Sequence, residues 1–296
     1  MGIKTLFLGL AIGSLLSAQT STAAQEERAH FHHVHLNVTN PEKTLQYYQR
    51  VFGATQVKYN DAVDALYTER SFILLNKVDA APPGALNTGI WHIGWGGVDM
   101  TSEAVWLKAM GVDIHTPLTP LSPSSYYMYL SGPDKELIEI NTMGSHRFGH
   151  IHLFADDVNE TAHWYADHLG VTLRQRDVPR QSDPNTRSRW ISNSFRVDNV
   201  NLIVFAKPET NPPPTWWPDP PLKELQPTKG RPIDHIAFSY RRIEPVYERM
   251  KKAGAQIIEP IAVREGYGFK SFFALAPNKV LIEIVEAPPI PEGIWD

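Results

Sequence analysis

Histidines recur at one position of four related segments, and this recurrence is the strongest chemical signal in the sequence. The stretch HFHHVHLNV, residues 30–38, holds four of them. Because side chains alternate between the faces of a strand, His33 and His35 share a face that His30 and His32 do not. Alignment with HIGWGG, HIHLFA and HIAFSY then selects one register, in which only the first position is always histidine: His33, His92, His150 and His235. We predict that these four side chains are metal ligands.

Two glutamates follow at matching distances in otherwise apolar segments. Glu139 lies in KELIEIN and Glu283 lies in KVLIEIV. A buried ionised carboxylate is costly unless it is paired or bound to a metal. The sequence therefore predicts two His/His/Glu centres, one made of His33, His92 and Glu139, the other of His150, His235 and Glu283. Such a donor set leaves coordination positions open, which favours Fe(II) and also suits Zn(II), Mn(II) or Ni(II).

Each of the four histidines is predicted to start a unit of the form strand, helix, strands. Asn40 and Asp157 are suited to cap the helices of the first and third units, and Gly53 and Gly170 to end them. Proline-rich sequence with Trp216 and Trp217 interrupts the third unit's exit. We expect the first unit to pair with the second and the third with the fourth.

These units define a domain organisation of the α+β class. Lys4, an apolar run and a small-residue site predict a signal peptide over 1–24. The first domain is predicted over 30–144, with modules 31–80 and 88–143. The second is predicted over 147–287, with modules 147–208 and 231–287 and a Pro/Trp-rich insertion at about 209–230. The chain has no cysteine, so any metal must be held by nitrogen and oxygen.

These motifs together resemble the vicinal oxygen chelate superfamily, which includes glyoxalase I, bleomycin-resistance proteins and type I extradiol dioxygenases. The resemblance implies four βαβββ modules that pair into two domains with cupped mixed sheets, and metal ligands from first and last strands. The two-domain dioxygenases use a C-terminal His/His/Glu set, which here corresponds to His150, His235 and Glu283. They also have a tyrosine ten residues before the glutamate. Tyr129 matches it before Glu139, whereas Phe273 precedes Glu283, so the resemblance makes Tyr129 the catalytic candidate.

The function expected from these features is an exported, metal-dependent enzyme that binds a substrate through vicinal oxygens. Its most specific form is a ring-cleaving dioxygenase; the alternatives are a glyoxalase-like lyase or isomerase and a non-catalytic binding protein. The aromatic residues Tyr127, Tyr129, Tyr267, Phe269 and Phe273 favour an apolar or aromatic small molecule.

Charge and composition narrow the class of partner. A net charge of -4 without a basic run disfavours nucleic acid, and no membrane association is expected after signal cleavage. We expect a secreted or periplasmic protein, and the sequence leaves room for a homo-oligomer. Trp91 and Trp95 are predicted to lie on the strand face opposite His92.

Overall fold

A computed structural model describes residues 28–179, 191–209 and 220–291. The predicted signal peptide and the pair Trp216 and Trp217 lie outside these residues. The described chain forms the four expected modules, each opening with a strand and a helix, and the predicted α+β fold of paired modules is confirmed.

Four helices follow the four opening strands, and local sequence explains where the first and third begin and end. Asn40 accepts a hydrogen bond from the Lys43 N–H, and Asp157 accepts one from the Glu160 N–H, as expected of N-caps. Gly53 ends its helix in the left-handed region, at a φ of 66°. The helices are α1 (Pro41–Phe52), α2 (Met100–Ala109), α3 (Val158–Leu169) and α4 (Glu244–Lys252). None of the described helices is both long and apolar enough to span a bilayer.

The strands form two mixed sheets. The first sheet has eight strands in the order β13-β14-β15-β12-β1-β4-β3-β2, and the second has seven in the order β10-β11-β9-β5-β8-β7-β6. The strands of the first sheet are β1 (His30–Val38), β2 (Thr55–Tyr59), β3 (Val63–Tyr67), β4 (Phe72–Lys77), β12 (Ile233–Tyr240), β13 (Gln256–Arg264), β14 (Phe269–Ala276) and β15 (Val280–Glu286). Those of the second are β5 (Ile90–Gly97), β6 (Ile114–Ser122), β7 (Ser125–Ser131), β8 (Leu137–Thr142), β9 (Phe148–Ala155), β10 (Ser192–Val197) and β11 (Val200–Ala206).

The order of strands corrects the expected pairing of modules. The first module pairs with the fourth, through antiparallel β1 and β12, and the second pairs with the third, through antiparallel β5 and β9. Each sheet therefore takes one module from each half of the chain. The expectation that neighbouring modules pair as first with second and third with fourth is wrong.

A β-bulge precedes every histidine of the repeated register. In β1 the extra residue is His32, which lies between the Phe31–Phe238 and His33–Ala237 pairs. The same irregularity leaves an extra residue just before the register histidine in β5, β9 and β12. A bulge breaks the alternation of faces locally and re-aims side chains. The four extra residues are His32, Trp91, Gly149 and Asp234.

One apolar core joins the helices to both sheets. Phe31 of the first sheet packs against Phe148 of the second, with ring centroids 6.1 Å apart. The helices bury their apolar faces in this core, opposite the histidines, which therefore face away from the helices. The helix residues buried there include Leu45, Tyr48, Leu107, Tyr165 and Met250.

A buried carboxyl group in this region predicts how stability changes with pH. Glu136 accepts hydrogen bonds from the Tyr48 hydroxyl, at 3.0 Å, and from the Asp134 N–H. Burial raises the pKa of Glu136 to about 7, above its ordinary value of 4.5. A raised pKa means that this group's contribution to stability is full below pH 4.5 and is lost as pH rises through 7. The contribution is about 3 kcal/mol.

Urea unfolding at pH 5 and pH 8 tests this. The unfolding free energy of the natural chain should fall between the two pH values by more than that of a Glu136→Gln chain. Glu248→Gln, at an exposed position, is the matched control and should keep the natural pH dependence. An identical pH dependence in Glu136→Gln would contradict the expectation.

Candidate metal centres

The first centre is made of His33, His35, His235 and Glu283 on the first sheet, and all four are buried. Their ligand atoms lie within 4.8 Å of one another. The Oε2 atom of Glu283 is 3.3 Å from His33 Nε2 and 3.4 Å from His235 Nε2. Strands β1, β12 and β15 lie side by side, which brings these residues together although they are up to 250 positions apart (283 − 33).

The second centre is made of His92, Glu139, His150 and His152 on the second sheet, and it too is buried. The Oε2 atom of Glu139 is 2.7 Å from His92 Nε2, 3.5 Å from His150 Nε2 and 3.8 Å from His152 Nδ1. All six residues proposed as ligands from the sequence thus occur in two clusters. Their grouping is corrected, because His33 joins His235 and Glu283, while His92 and Glu139 join His150.

Both clusters fit a divalent cation, because their inward atoms are buried and have no hydrogen-bond partner among the described residues. This holds for the Nε2 atoms of four histidines and for Glu139 Oε2. Buried polar atoms are normally paired, and several lone pairs aimed at one point are the arrangement that a cation satisfies. The four histidines are His33, His92, His150 and His235.

The pKa shifts of the histidines and glutamates favour the protonation states that bind a cation. Burial lowers the pKa of His33 and of His92, which keeps both rings neutral and able to offer a lone pair. Burial alone would raise the pKa of Glu139, but the adjacent imidazoles of His150 and His92 hold it well below its ordinary value. Neutral imidazoles around a charged carboxylate are the protonation states that metal binding requires.

His235 differs from the other register histidines. Burial alone would lower its pKa, but the adjacent carboxylates of Asp234 and Glu283 raise it to about 9. The Asp234 Oδ1 atom lies 2.7 Å from His235 Nδ1. A cation at Nε2 would displace the second proton, so metal uptake at the first centre releases a proton near neutral pH.

Sequence reasoning did not assign His35 and His152, which give each centre a third imidazole. Both lie two residues after a register histidine, where the second and fourth modules have Gly94 and Ala237. Histidine occurs at that position in only two modules, so the repeat does not single it out. Each sheet combines one module that has this histidine with one module that lacks it. Each centre therefore contains one additional histidine.

The last strands of the first and third modules contribute no carboxylate. Leu74 of β4 lies opposite His35, and Ile203 of β11 lies opposite His152. Glu139 and Glu283 have the corresponding place in β8 and β15, opposite Gly94 and Ala237. Each centre therefore has a single glutamate.

Aromatic residues line both centres, and one of them, Trp91, does not lie where the sequence predicts. Trp95 is buried in the core as expected, stacked on Phe52. Trp91 instead lies on the ligand face, its ring centroid 4.4 Å from that of His92, because the bulge in β5 reverses its direction. The Tyr129 ring is 5.1 Å from the His92 ring. Phe273 has the matching place in the first centre, 5.1 Å from His235.

Gly94 leaves space for the imidazole of His150, and this predicts the effect of a substitution at Gly94. A Cβ atom at this position would lie 1.9 Å from His150 Nε2. Gly94→Ala should therefore displace the imidazole and reduce bound metal from about two equivalents to about one, as measured by elemental analysis. Gly149→Ala is the control, since the nearest atom to its Cβ would be the end of the Met143 side chain, at 3.2 Å. Two equivalents in Gly94→Ala would refute the role given to His150.

Comparisons with known proteins agree with this fold. The family model described as Glyoxalase/Bleomycin resistance protein/Dioxygenase superfamily matches residues 30–140 and 147–284. Glyoxalase I from Zea mays is similar in structure, with a TM-score of 0.67, 15% identity, and coverage of 88% of this chain and 93% of that chain. A putative dioxygenase from Bacillus subtilis has a TM-score of 0.58, 14% identity, and coverage of 89% and 87%. A search of curated proteins found no match. At these identities the structural likenesses show the fold.

Proposed function

Because the chain belongs to the Glyoxalase/Bleomycin resistance protein/Dioxygenase superfamily, we propose that it is an enzyme that depends on a divalent metal. It binds a small-molecule substrate through two adjacent oxygens at a His/His/Glu centre. The observation that carries this proposal is the convergence of unpaired, buried ligand atoms of His92, His150 and Glu139. A bound divalent metal would supply Lewis acidity, and, if it is iron, a means of activating O₂.

The second centre is the better candidate for the reaction because Tyr129 lies beside it. Burial, and then the charge of Glu139, raise the pKa of Tyr129 well above its ordinary value. The hydroxyl therefore stays protonated and can donate a hydrogen bond or a proton to a substrate oxygen. Phe273 has no such group, so the first centre has no hydroxyl at the matching position.

The walls of the second centre favour an aromatic substrate. The Trp91 ring stacks on Phe154, with centroids 4.7 Å apart, and Phe205 lies 4.8 Å from His152. Leu225, near the end of the proline-rich insertion, packs in the same cluster. Flat apolar walls beside a few polar groups are typical of sites for small aromatic molecules. The most specific proposal is ring cleavage of an aromatic diol.

Oxygen uptake tests the ring-cleaving activity. Chain reconstituted with Fe(II) under anaerobic conditions is mixed with a panel of catechols and then exposed to air. Uptake of O₂ with loss of the catechol supports the proposal, and no uptake with any catechol overturns it. The Tyr129→Phe chain serves as the matched control for the proton donor.

A glyoxalase-type lyase or isomerase would give a different result, namely turnover that persists without oxygen. Leu74 and Ile203 occupy the positions at which a second carboxylate would complete such a centre, which favours the oxygen-dependent reaction. A chain that binds ligands but holds no metal would act as a binding protein instead. Elemental analysis of protein purified without chelator separates these outcomes.

Export is part of the same proposal, and it is supported by the amino-terminal sequence. Lys4 and the following apolar run have the composition of a secretory signal. Expression of the full chain with recovery from the periplasm or medium tests it. Amino-terminal sequencing should then find a start near Ala24, and an intact Met1 would contradict export by cleavage.

A further inference from the structure

The four bulge residues differ between the two centres, although the bulges themselves are repeated. In the first centre they are His32 and Asp234, and in the second they are Trp91 and Gly149. Resting on the metal-dependent function above, we propose that these residues set how firmly the next histidine holds a cation. The first centre consequently binds its ion at least ~10-fold more tightly than the second.

Asp234 fixes His235. Its Oδ1 atom is 2.7 Å from His235 Nδ1, while its other oxygen accepts from the Gly230 N–H at 2.6 Å and from Asn37 Nδ2 at 3.0 Å. The carboxylate is thus held from both sides and can only accept from the imidazole. His235 must then carry a proton on Nδ1 and can present Nε2 to a cation, with raised basicity.

His32 likewise fixes the orientation and tautomer of His33. Their Nδ1 atoms are 2.8 Å apart, so one carries the proton and the other accepts it. When His33 offers its Nε2 lone pair to a cation, its Nδ1–H donates to His32. His32 then carries its own proton on Nε2, which lies 3.1 Å from the Tyr59 hydroxyl. The chain of hydrogen bonds holds both ring orientation and tautomer.

The second centre lacks this support. Trp91 packs on His92, but its indole N–H can only donate and so cannot accept from an imidazole. The Nδ1 atom of His92 is buried, and no residue in the described part of the chain forms a hydrogen bond with it. Gly149, before His150, has no side chain. Neither His92 nor His150 is therefore fixed in tautomer by its bulge residue.

The glutamates do not explain a difference between the centres. The Oε1 atom of Glu283 accepts a hydrogen bond from Ser271, and that of Glu139 accepts one from Asn141. Each carboxylate has one neutral side-chain donor and leaves Oε2 for the cation. Arg264 Nε also lies 3.9 Å from Glu283 Oε1, and its positive charge would weaken cation binding at the first centre, so it does not account for tighter binding there. The contrast between the centres lies mainly in the residues that precede the histidines.

Metal titration of the full chain tests the proposal without any assay of activity. Metal-free protein is titrated with Zn(II) against a chelating indicator, and with Co(II) by its visible absorption. We expect two binding steps separated by at least ~10-fold in Kd. Glu283→Gln should remove the tighter step and Glu139→Gln the weaker one.

Variants of the bulge residues then assign the cause. Asp234→Asn keeps an oxygen that can accept from Gly230 and Asn37, but it turns an amide N–H towards His235. His32→Phe removes the acceptor for His33. Each variant, tested separately, should raise the Kd of the tighter step alone, by ~10- to 100-fold. Asp167→Asn, the same change at an exposed position of helix α3, should leave both steps unchanged. Circular dichroism shows whether each variant is folded.

A gain of affinity gives an independent test that does not risk the first centre. Gly149→Asp places a carboxylate before His150, as Asp234 stands before His235. A Cβ atom here would come within 3.2 Å of only the half-exposed Met143 side chain. The weaker step should tighten, and an unchanged step would contradict the proposal.

Three other results would overturn it: equal affinities at both centres, loss of the tighter step in Glu139→Gln, or an unchanged tighter step in both Asp234→Asn and His32→Phe. Absence of any metal binding would overturn both this proposal and the proposed function. Equal affinities would leave the proposed function standing.

Discussion

Combining His33→Ala with Glu283→Gln is expected to cost the chain about one equivalent of metal, because both residues belong to the first centre. Combining His33→Ala with Glu139→Gln is expected to remove both equivalents, because those residues belong to different centres. At each substituted centre the affinity for metal should fall by more than ~100-fold, because removing a ligand costs more than removing a residue that only orients a ligand. Elemental analysis after gel filtration measures the equivalents.

The two double variants are matched controls for each other, since both replace one histidine and one glutamate. Substitutions at one centre should be non-additive and those at separate centres additive. The grouping His33, His92 and Glu139, which local sequence suggests, predicts the opposite pattern. Retention of one equivalent by His33→Ala with Glu139→Gln would refute the centres described here.

Tyr129→Phe is expected to lower kcat by about 100-fold or more, the usual contribution of a positioned proton donor. The substrate is a catechol that supports oxygen uptake by the natural chain. Metal content and KM should change little, because the phenyl ring keeps its packing against His92 and Trp91.

Tyr127→Phe is the matched control, since its ring packs on Tyr129 with centroids 5.5 Å apart and it removes the same atom. It should retain most of the activity. If Tyr129→Phe turned over at the natural rate, the hydroxyl would have no part in the reaction, and the assignment of the reaction to the second centre would lose its main support.

The sequence was sufficient to single out six of the eight clustered side chains, because their spacing is local to each module. The four histidines share a register relative to a helix that ends at a glycine in two of the modules, and the glutamates stand out in apolar strands. Gly53 and Gly170 end their helices in the left-handed region as expected. These features depend on short-range rules of capping and alternation.

The pairing of modules could not be derived in the same way, since it depends on contacts between strands distant in sequence. Connection lengths carried a usable signal. Only residues 143–147 separate β8 from β9, which lie in the same sheet on either side of β5. Longer segments, 78–89 and 207–232, connect modules of different sheets. Short connections keep consecutive elements adjacent, and longer ones allow a crossing between sheets.

The bulges explain the remaining errors at the centres. Strict alternation places Trp91 in the core and His32 on the face opposite His33. An extra residue in β1 and in β5 instead brings both side chains to the ligand face. A bulge is set by pairing with the partner strand, so one strand's sequence does not reveal it.

Anomalous diffraction from crystals grown with Zn(II) and measured at the zinc edge tests the central claim most directly. Two peaks per chain are expected. One should lie about 2.0–2.2 Å from ligand atoms of His33, His235 and Glu283, and the other at the same distances from His92, His150 and Glu139. Peaks elsewhere, or no peak between these residues in crystals that contain zinc, would contradict the account.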